Sequence, residues 1–184
     1  VGLNVAADPL FTVSYTGVNG GLVIMVADDP GMHSSQNEQD SRCYAKGAKV
    51  PMLEPSDSQE CKDFVKKAFE ISEKYDTPVI VRLSTRISHS QSVVEICDRS
   101  DYKIKDYVKD PAKYVMMPAM ARKRHVEVEK RMAGLKELSN TDEFNKIEWG
   151  NKEIGVITSG VAYQYAREVF GDVSYLKLGM VHPL

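Results

Sequence analysis

The densest run of chemistry-bearing side chains spans residues 28 to 42, DDPGMHSSQNEQDSR. It supplies carboxylates, amides, hydroxyls, one imidazole and one guanidinium in fifteen positions. Three chemistries compete for it. Adjacent His33 and Ser34-Ser35 carry the residue types of a hydrolase, with serine as nucleophile and histidine as base. Neighbouring residues rarely point at one another, and the G-x-S-x-G elbow is absent. Asp28, Asp29 and His33, joined by His89, carry the residue types of a hard-cation site. Their spacing matches no ligand framework, and Asp29-Pro30-Gly31 reads equally well as a turn. The third reading is a polar loop, either solvated or forming the wall of a site.

Other charged groups are weighed the same way. The stretch RLSTRISHS, residues 82 to 90, carries Arg82, Arg86 and His89 at a strand end. An arginine there binds a carboxylate by two parallel hydrogen bonds or pairs with a neighbouring acid. Arg82 leans to structure and Arg86 stays open. Arg122-Lys123-Arg124 is followed by Glu127 and Glu129, the pattern of a solvated helix face. Ile157-Thr158-Ser159-Gly160 runs from a strand into a helix start that suits an anion, but GxGxxG is missing.

Elements must position these groups. Residues 4 to 18 read as a tightly packed helix, with Pro9 confined to its first turn or a kink. Leu22 to Ala27 is a continuous apolar run, expected as a strand buried on both faces. Val50 to Leu53 is a short second strand. Residues 54 to 76 form a helix, with Ser56 and Gln59 at capping-box spacing and an apolar stripe of Cys61, Phe64, Val65, Ala68, Phe69 and Ser72. Val79 to Leu83 is the next buried strand. Strand–helix–strand order implies parallel pairing in a layered α/β fold, with the 28–44 loop at the carboxyl rim where ligands sit. Residues 98 to 114 read as a surface connection. Residues 119 to 138 form a helix with a narrow stripe of Val128, Met132 and Leu135, and 139 to 151 read as linker. Residues 154–158, 161–170 and 173–178 make a βαβ unit that cannot cover its own sheet, so it opens a second α/β domain.

Composition narrows the class. Hydrophobic residues are 42% of the 184, charged residues 27%, and the net charge is −2. This is globular composition with no nucleic-acid or membrane-surface bias. No run reaches the ~20 apolar residues of a membrane span, and no signal peptide is visible. Cys43, Cys61 and Cys97 lack zinc or cluster spacing and read as reduced thiols of a cytoplasmic protein. The chain begins VGLNVAADPL without Met and stops at GMVHPL after a predicted strand, which reads as a fragment of a longer polypeptide.

Three stretches, VGLNVAADPL, VADDPGMHSSQNEQDSRCYA and TPVIVRLSTRISHS, together resemble one family. It is that of the indolepyruvate:ferredoxin oxidoreductase α subunits, thiamine-diphosphate enzymes of the 2-oxoacid:ferredoxin oxidoreductase group. The resemblance is strong over residues 1 to 92 and looser over 150 to 184; residues 98 to 150 add little. It implies a three-layer, mostly parallel α/β fold of pyrimidine-domain type. Residues 1–97 would be its later half, 98–150 a linker with a long helix, and 151–184 the start of a transketolase-C-terminal-like domain. It implies oxidative decarboxylation of aryl 2-oxo acids on thiamine diphosphate with magnesium, electrons passing through iron–sulfur clusters to ferredoxin. A β subunit and an oligomeric assembly come with it.

The resemblance assigns expectations to residues. Gly2, Leu3 and Asn4 would meet the aminopyrimidine. His33, Gln36, Asn37 and Gln39 would act at the reacting centre by donating to oxyanion character. Ser34, Ser35, Arg42 and Arg86 would hold the oxo acid, and no residue here is a metal ligand. The family's glutamate, its GDG diphosphate motif and its cluster cysteines are absent from these residues. The 184 residues alone are therefore expected to be inactive. A non-catalytic assembly domain and an unrelated α/β hydrolase are the competing readings.

Overall fold

The computed structural model describes residues 2–99, 104–141 and 143–184. Part of the 98–150 connection, residues 100–103 and Asp142, lies outside the described residues. In chain order the elements are α1 (Gly2–Val5), α2 (Ala7–Thr16), β1 (Val23–Asp28), α3 (Arg42–Ala48), β2 (Met52–Leu53), α4 (Ser58–Tyr75), β3 (Val79–Ser84) and α5 (Thr85–His89). They continue with α6 (Pro111–Tyr114), α7 (Pro118–Ser139), β4 (Asn145–Glu148), β5 (Asn151–Ser159), α8 (Gly160–Phe170), β6 (Val173–Leu178) and β7 (Met180–His182).

Two sheets result. The first has the order β1-β3-β2-β7, with β1, β3 and β2 parallel and β7 antiparallel to β2. The second has the order β4-β6-β5, with β5 and β6 parallel. Helices lie on both faces of the first sheet, which makes the expected three-layer α/β arrangement. On one face Leu10 of α2 and Ala45 and Ala48 of α3 meet Val50, Met52 and Ile80. On the other, Phe64, Ala68 and Ile71 of α4 and Leu135 of α7 meet Leu53, Val79, Val81 and Met180. Burial on both faces is why β3 consists of uninterrupted apolar residues up to Arg82.

The run before the polar loop sits differently from expectation. β1 is the outer strand of its sheet, so Met25 keeps 48% exposure rather than being buried. α4 also rotates from its predicted face. Phe64, Ala68 and Ile71 point inward while Phe69 is 46% exposed, and the cap shifts by one residue. Asp57 accepts from the Glu60 N–H at 2.8 Å, and the Glu60 carboxylate reaches back to the Ser56 N–H at 2.9 Å. Pro9 lies in the first turn of α2, as its fixed φ requires. Gly17 ends α2 at φ +76°, and a Cβ there would collide with the Asp76 carboxylate.

The predicted linker at 139–151 contains a strand, β4, and β7 closes the first sheet. Short polar strands such as Asn145–Glu148 carry no apolar alternation and depend on a neighbour for their pairing. α7 buries Val128, Leu135 and also Arg131, whose guanidinium donates to the Ser14 and Asp76 carbonyl oxygens near the ends of α2 and α4. Among the described residues no helix is long and apolar enough to cross a membrane.

Two positions on α7 separate packing from helix propensity. Leu135→Ala is expected to cost about 2–5 kcal/mol, because the side chain is fully buried in the α4-facing core. Val126→Ala, at a half-exposed site on the same helix, is expected to change stability by less than about 0.5 kcal/mol. Urea midpoints of the two variants check this.

Candidate functional site

The site grows from the carboxyl ends of β1, β2 and β3. Arg82 stands near the end of β3, only 3% exposed. Its Nε donates to Asp28 Oδ2 at 2.6 Å, and Nη1 donates to Glu54 Oε1 at 2.6 Å. Asp28 ends β1 and Glu54 directly follows β2, so one planar cation ties three strand ends together. Burying these charges is tolerable because each is paired. Asp28 Oδ2 also accepts from the Ser41 N–H at 2.7 Å and its hydroxyl at 2.8 Å, fixing the start of α3 over the sheet.

Between Asp28 and Ser41 the loop is built around Asp29. Its carboxylate accepts from the Ser34 N–H at 2.7 Å, the Ser35 N–H at 2.9 Å, and the Ser34 and Thr85 hydroxyls at 3.3 and 2.9 Å. The Ser34 amide first, then Thr85 and Ser35, hold the Asp29 carboxyl well below the usual carboxylate range. Gly31 and Met32 turn the chain with φ of +84° and +56°. Such a conformation is uncommon for methionine and places the exposed His33 at the loop tip.

The loop returns beside α1 and leaves a cleft of about 480 Å³ along the outer edge of β1. Gly2, Leu3 and Asn4 line it on one side, Asn37 and Gln39 on another, with residues 24–28 as the floor. Tyr44 Oη donates to Asn4 Oδ1 and so joins α3 to α1 beside this cleft. Gln39 Nε2 donates to Asn37 Oδ1 and its N–H to the Asp29 carbonyl at 3.4 Å. The cleft therefore gathers five of the predicted residues: Gly2, Leu3, Asn4, Asn37 and Gln39.

The others lie apart from it. His33, Ser34, Ser35 and Gln36 form the outer part of the loop. The Ser34 hydroxyl is directed at Asp29 rather than at His33, which is not the geometry of a serine nucleophile and its base. Arg42 is held by its own neighbour, Asp40, at 2.9 and 2.8 Å; that fork holds the Asp40 carboxyl below its ordinary range. Arg86 is exposed on α5. Asp29 spends both oxygens, and Asp28 its Oδ2, on the bonds above. Among the described residues no group of three or more His, Cys, Asp or Glu is placed to hold a metal.

Sequence reading placed Asp28, Asp40 and Tyr44 in the polar loop but weighed only Asp28, as a metal ligand or turn residue, and it missed Glu54 altogether. Glu54 emerges from the fold alone. It also answers the question raised by Ile157 to Gly160. A Cβ on Gly160, which has φ +52°, would lie 2.7 Å from Glu54 Oε1, so the anion at this helix start is the chain's own.

Two substitutions test this construction. Arg82→Ala is expected to lose about 3–5 kcal/mol, since it strands two buried carboxylates, and denaturant unfolding measures it. Asp29→Ala should speed amide exchange at Ser34 and Ser35. Because the folded carboxyl titrates below its unfolded value, the native loop keeps this contribution above about pH 4 and loses it as acid protonates Asp29. The protection factors of these two amides, corrected for the intrinsic pH dependence of exchange, should therefore fall on acidification in the native protein but show no such step in the variant.

Residues 22–153 match the family described as pyruvate flavodoxin/ferredoxin oxidoreductase, thiamine diphosphate-binding. That match runs through the whole of the 98–150 stretch. Indolepyruvate oxidoreductase subunit IorA from Archaeoglobus fulgidus is 42% identical over the whole chain, and the chain covers 30% of it. The proteins of that name from Methanothermobacter marburgensis and Pyrococcus abyssi are 45% and 46% identical over the whole chain, which covers 31% and 30% of them. The chain thus spans about a third of the length of the curated relatives it matches. A structure of 2-oxoglutarate:ferredoxin oxidoreductase from Magnetococcus marinus, with 2-oxoglutarate, coenzyme A and succinyl-CoA bound, covers the whole chain and is itself covered to 41%. It aligns at a TM-score of 0.67 and 14% identity, a likeness of fold. With the family match covering most of its length, the chain belongs to the pyruvate flavodoxin/ferredoxin oxidoreductase thiamine-diphosphate-binding family.

Proposed function

We propose that these residues form one wall of the thiamine diphosphate site in the α subunit of a cytoplasmic indolepyruvate:ferredoxin oxidoreductase. The observation that carries the proposal is identity of 42–46% along the whole chain to proteins named as indolepyruvate oxidoreductase subunits. The position of the polar loop at the carboxyl rim of a parallel sheet supports it, since that rim is where open α/β sheets bind ligands.

The cleft fits one end of the cofactor. An aminopyrimidine is flat and alternates donors with acceptors, and the outer edge of β1 presents backbone groups of both kinds. Asn4, steadied by Tyr44, supplies a side-chain amide at the same place, with Gly2 and Leu3 allowing close approach. The diphosphate end does not fit here. The lining includes Asp28, Glu38 and Asp40 and, among the described residues, neither lysine nor arginine. An acidic wall repels phosphate, so the diphosphate and its magnesium belong to residues outside this wall.

When bound, thiamine diphosphate supplies the electron sink for loss of carbon dioxide from a 2-oxo acid. The chain's own residues bind and orient. Asn37 and Gln39, locked to one another, offer neutral donors toward the substrate's keto oxygen. Gln36, His33, Ser34 and Ser35 extend that polar wall outward and exclude bulk water when the site closes. Of the two arginines held for the substrate carboxylate, Arg42 is already engaged by Asp40, which leaves that role to Arg86. Iron–sulfur clusters, ferredoxin and a β subunit complete the enzyme from outside these residues. Domain limits of 1–97, 98–150 and 151–184 go with this reading.

The intact enzyme, assayed with its partner subunit, is expected to reduce ferredoxin with indolepyruvate. Asn37→Ala and Gln39→Ala should each lower kcat by about 10²–10³-fold if their donors serve the developing oxyanion. Asn4→Ala should instead raise the thiamine diphosphate concentration needed for half activity. The 184 residues alone should turn over nothing. An intact enzyme that accepts pyruvate or 2-oxoglutarate but no aryl 2-oxo acid overturns the reading.

A further inference from the structure

Residues 90–99 follow α5 without regular secondary structure, and apolar packing holds them little: Val93 and Ile96 are each 95% exposed. Their tether is the start of α4. Gln59 Oε1 accepts from the Glu95 N–H at 2.8 Å, and Lys62 Nζ donates to the Glu95 carbonyl at 2.5 Å. The Gln59 amide is itself steadied by Asp63 at 2.8 Å. The same Lys62 Nζ lies 3.4 Å from Cys97 Sγ.

The other two cysteines sit differently. Cys61, half-buried on α4, has its thiol pushed up to about 11 by burial, with Asp57 and Glu60 adding to the effect. Cys43 is exposed on α3, but among the described residues no basic side chain bonds its sulfur. Cys97 combines exposure with an ammonium at its sulfur, the surroundings that direct oxidation to one thiol over others. Among the described residues no carboxylate pairs with Lys62, so its nitrogen is not committed to an ion pair.

We propose that Cys97 and Lys62 form a reversible redox site, in which a peroxide oxidises the thiol and the lysine amine then closes a sulfenamide bond. The Cys97 sulfur, as thiolate, attacks one oxygen of hydrogen peroxide. The O–O bond breaks, the departing hydroxide takes up a proton and leaves as water, and a sulfenic acid remains. Lys62, after giving a proton to solvent, directs its nitrogen lone pair at that sulfur. The S–N bond forms as S–O breaks, and the hydroxyl leaves as a second water with a proton from the nitrogen. In sum, thiol, ammonium and hydrogen peroxide give the sulfenamide, two waters and one proton. The separation of 3.4 Å falls in the ~3–3.5 Å range of a near-attack pair, so little adjustment is asked of either side chain. A dithiol returns both groups to their starting state. The closed bond pins residues 95–97 to α4 and spares Cys97 from irreversible sulfinic acid.

This site is independent of the proposed reaction, and its test reads no activity. The full-length gene product with its copurifying subunits, prepared without oxygen, is treated with stoichiometric hydrogen peroxide, alkylated, and digested with a protease that spares lysine. Peptide mass spectrometry should find residues 62 and 97 joined, at the summed mass of the two reduced peptides less two hydrogens. Dithiothreitol should undo the link, and amide exchange at Glu95 should slow while it is closed. In Lys62→Arg, which keeps the positive charge, the link should be lost and a 1,3-dione probe should trap Cys97 as its sulfenic acid. Equal trapping of Cys97 in the native protein and the variant overturns the proposal. So does a disulfide from Cys97 to Cys61 or Cys43, or a Cys97 thiol that peroxide leaves unmodified.

Discussion

One buried cation organises the carboxyl rim. Arg82 holds Asp28 and Glu54 at 2.6 Å each, and both acids sit at the ends of strands that run parallel to β3. Neither acid would remain buried without it, because an unpaired carboxylate in a low-dielectric interior is strongly penalised. Asp28 passes the constraint to Ser41 and so to α3 and the far end of the polar loop. Glu54 passes it to Gly160, where only a residue without a side chain lets α8 approach so closely. The two sheets are joined again where Lys177 of β6 pairs with Glu60 at the start of α4, at 2.5 Å.

This arrangement explains why so many polar side chains follow an apolar strand. Many of them build the loop rather than serve a ligand. Asp29 gathers Ser34, Ser35 and Thr85, Ser41 is committed to Asp28, and Asp40 is committed to Arg42. A loop held by that many internal bonds is pre-organised, which keeps Asn37 and Gln39 in place without a ligand's help. The residues that face the cleft are thus a minority of the run, and Asp28, Asp40 and Ser41 among them are also committed to the loop's own bonds.

The cleft is also one-sided. Its floor is the outer edge of β1, its walls are α1 and the loop, and its charge is negative. A surface of that kind suits the neutral heteroaromatic part of a cofactor and not its phosphates. Division of a ligand between walls of opposite charge is a natural solution when one ligand carries both an aromatic ring and a diphosphate.

Much of this was legible in the order of residues. Uninterrupted apolar runs gave β1 and β3, the i, i+3, i+4 spacing gave α4, and the alternation of elements gave parallel pairing, because each depends on neighbours within a few positions. The composition of the polar loop and its place after a strand were legible for the same reason. What the tertiary structure decided were the relations between distant positions. Arg82 and Asp28 are separated by 54 residues and Glu54 and Arg82 by 28, and no local pattern pairs them. The strand order, which made β1 an edge and so opened the cleft, and the return of β7 to the first sheet are likewise set by which surfaces meet. Local periodicity fixes which segments have a face to bury; only packing in three dimensions selects what each face is buried against.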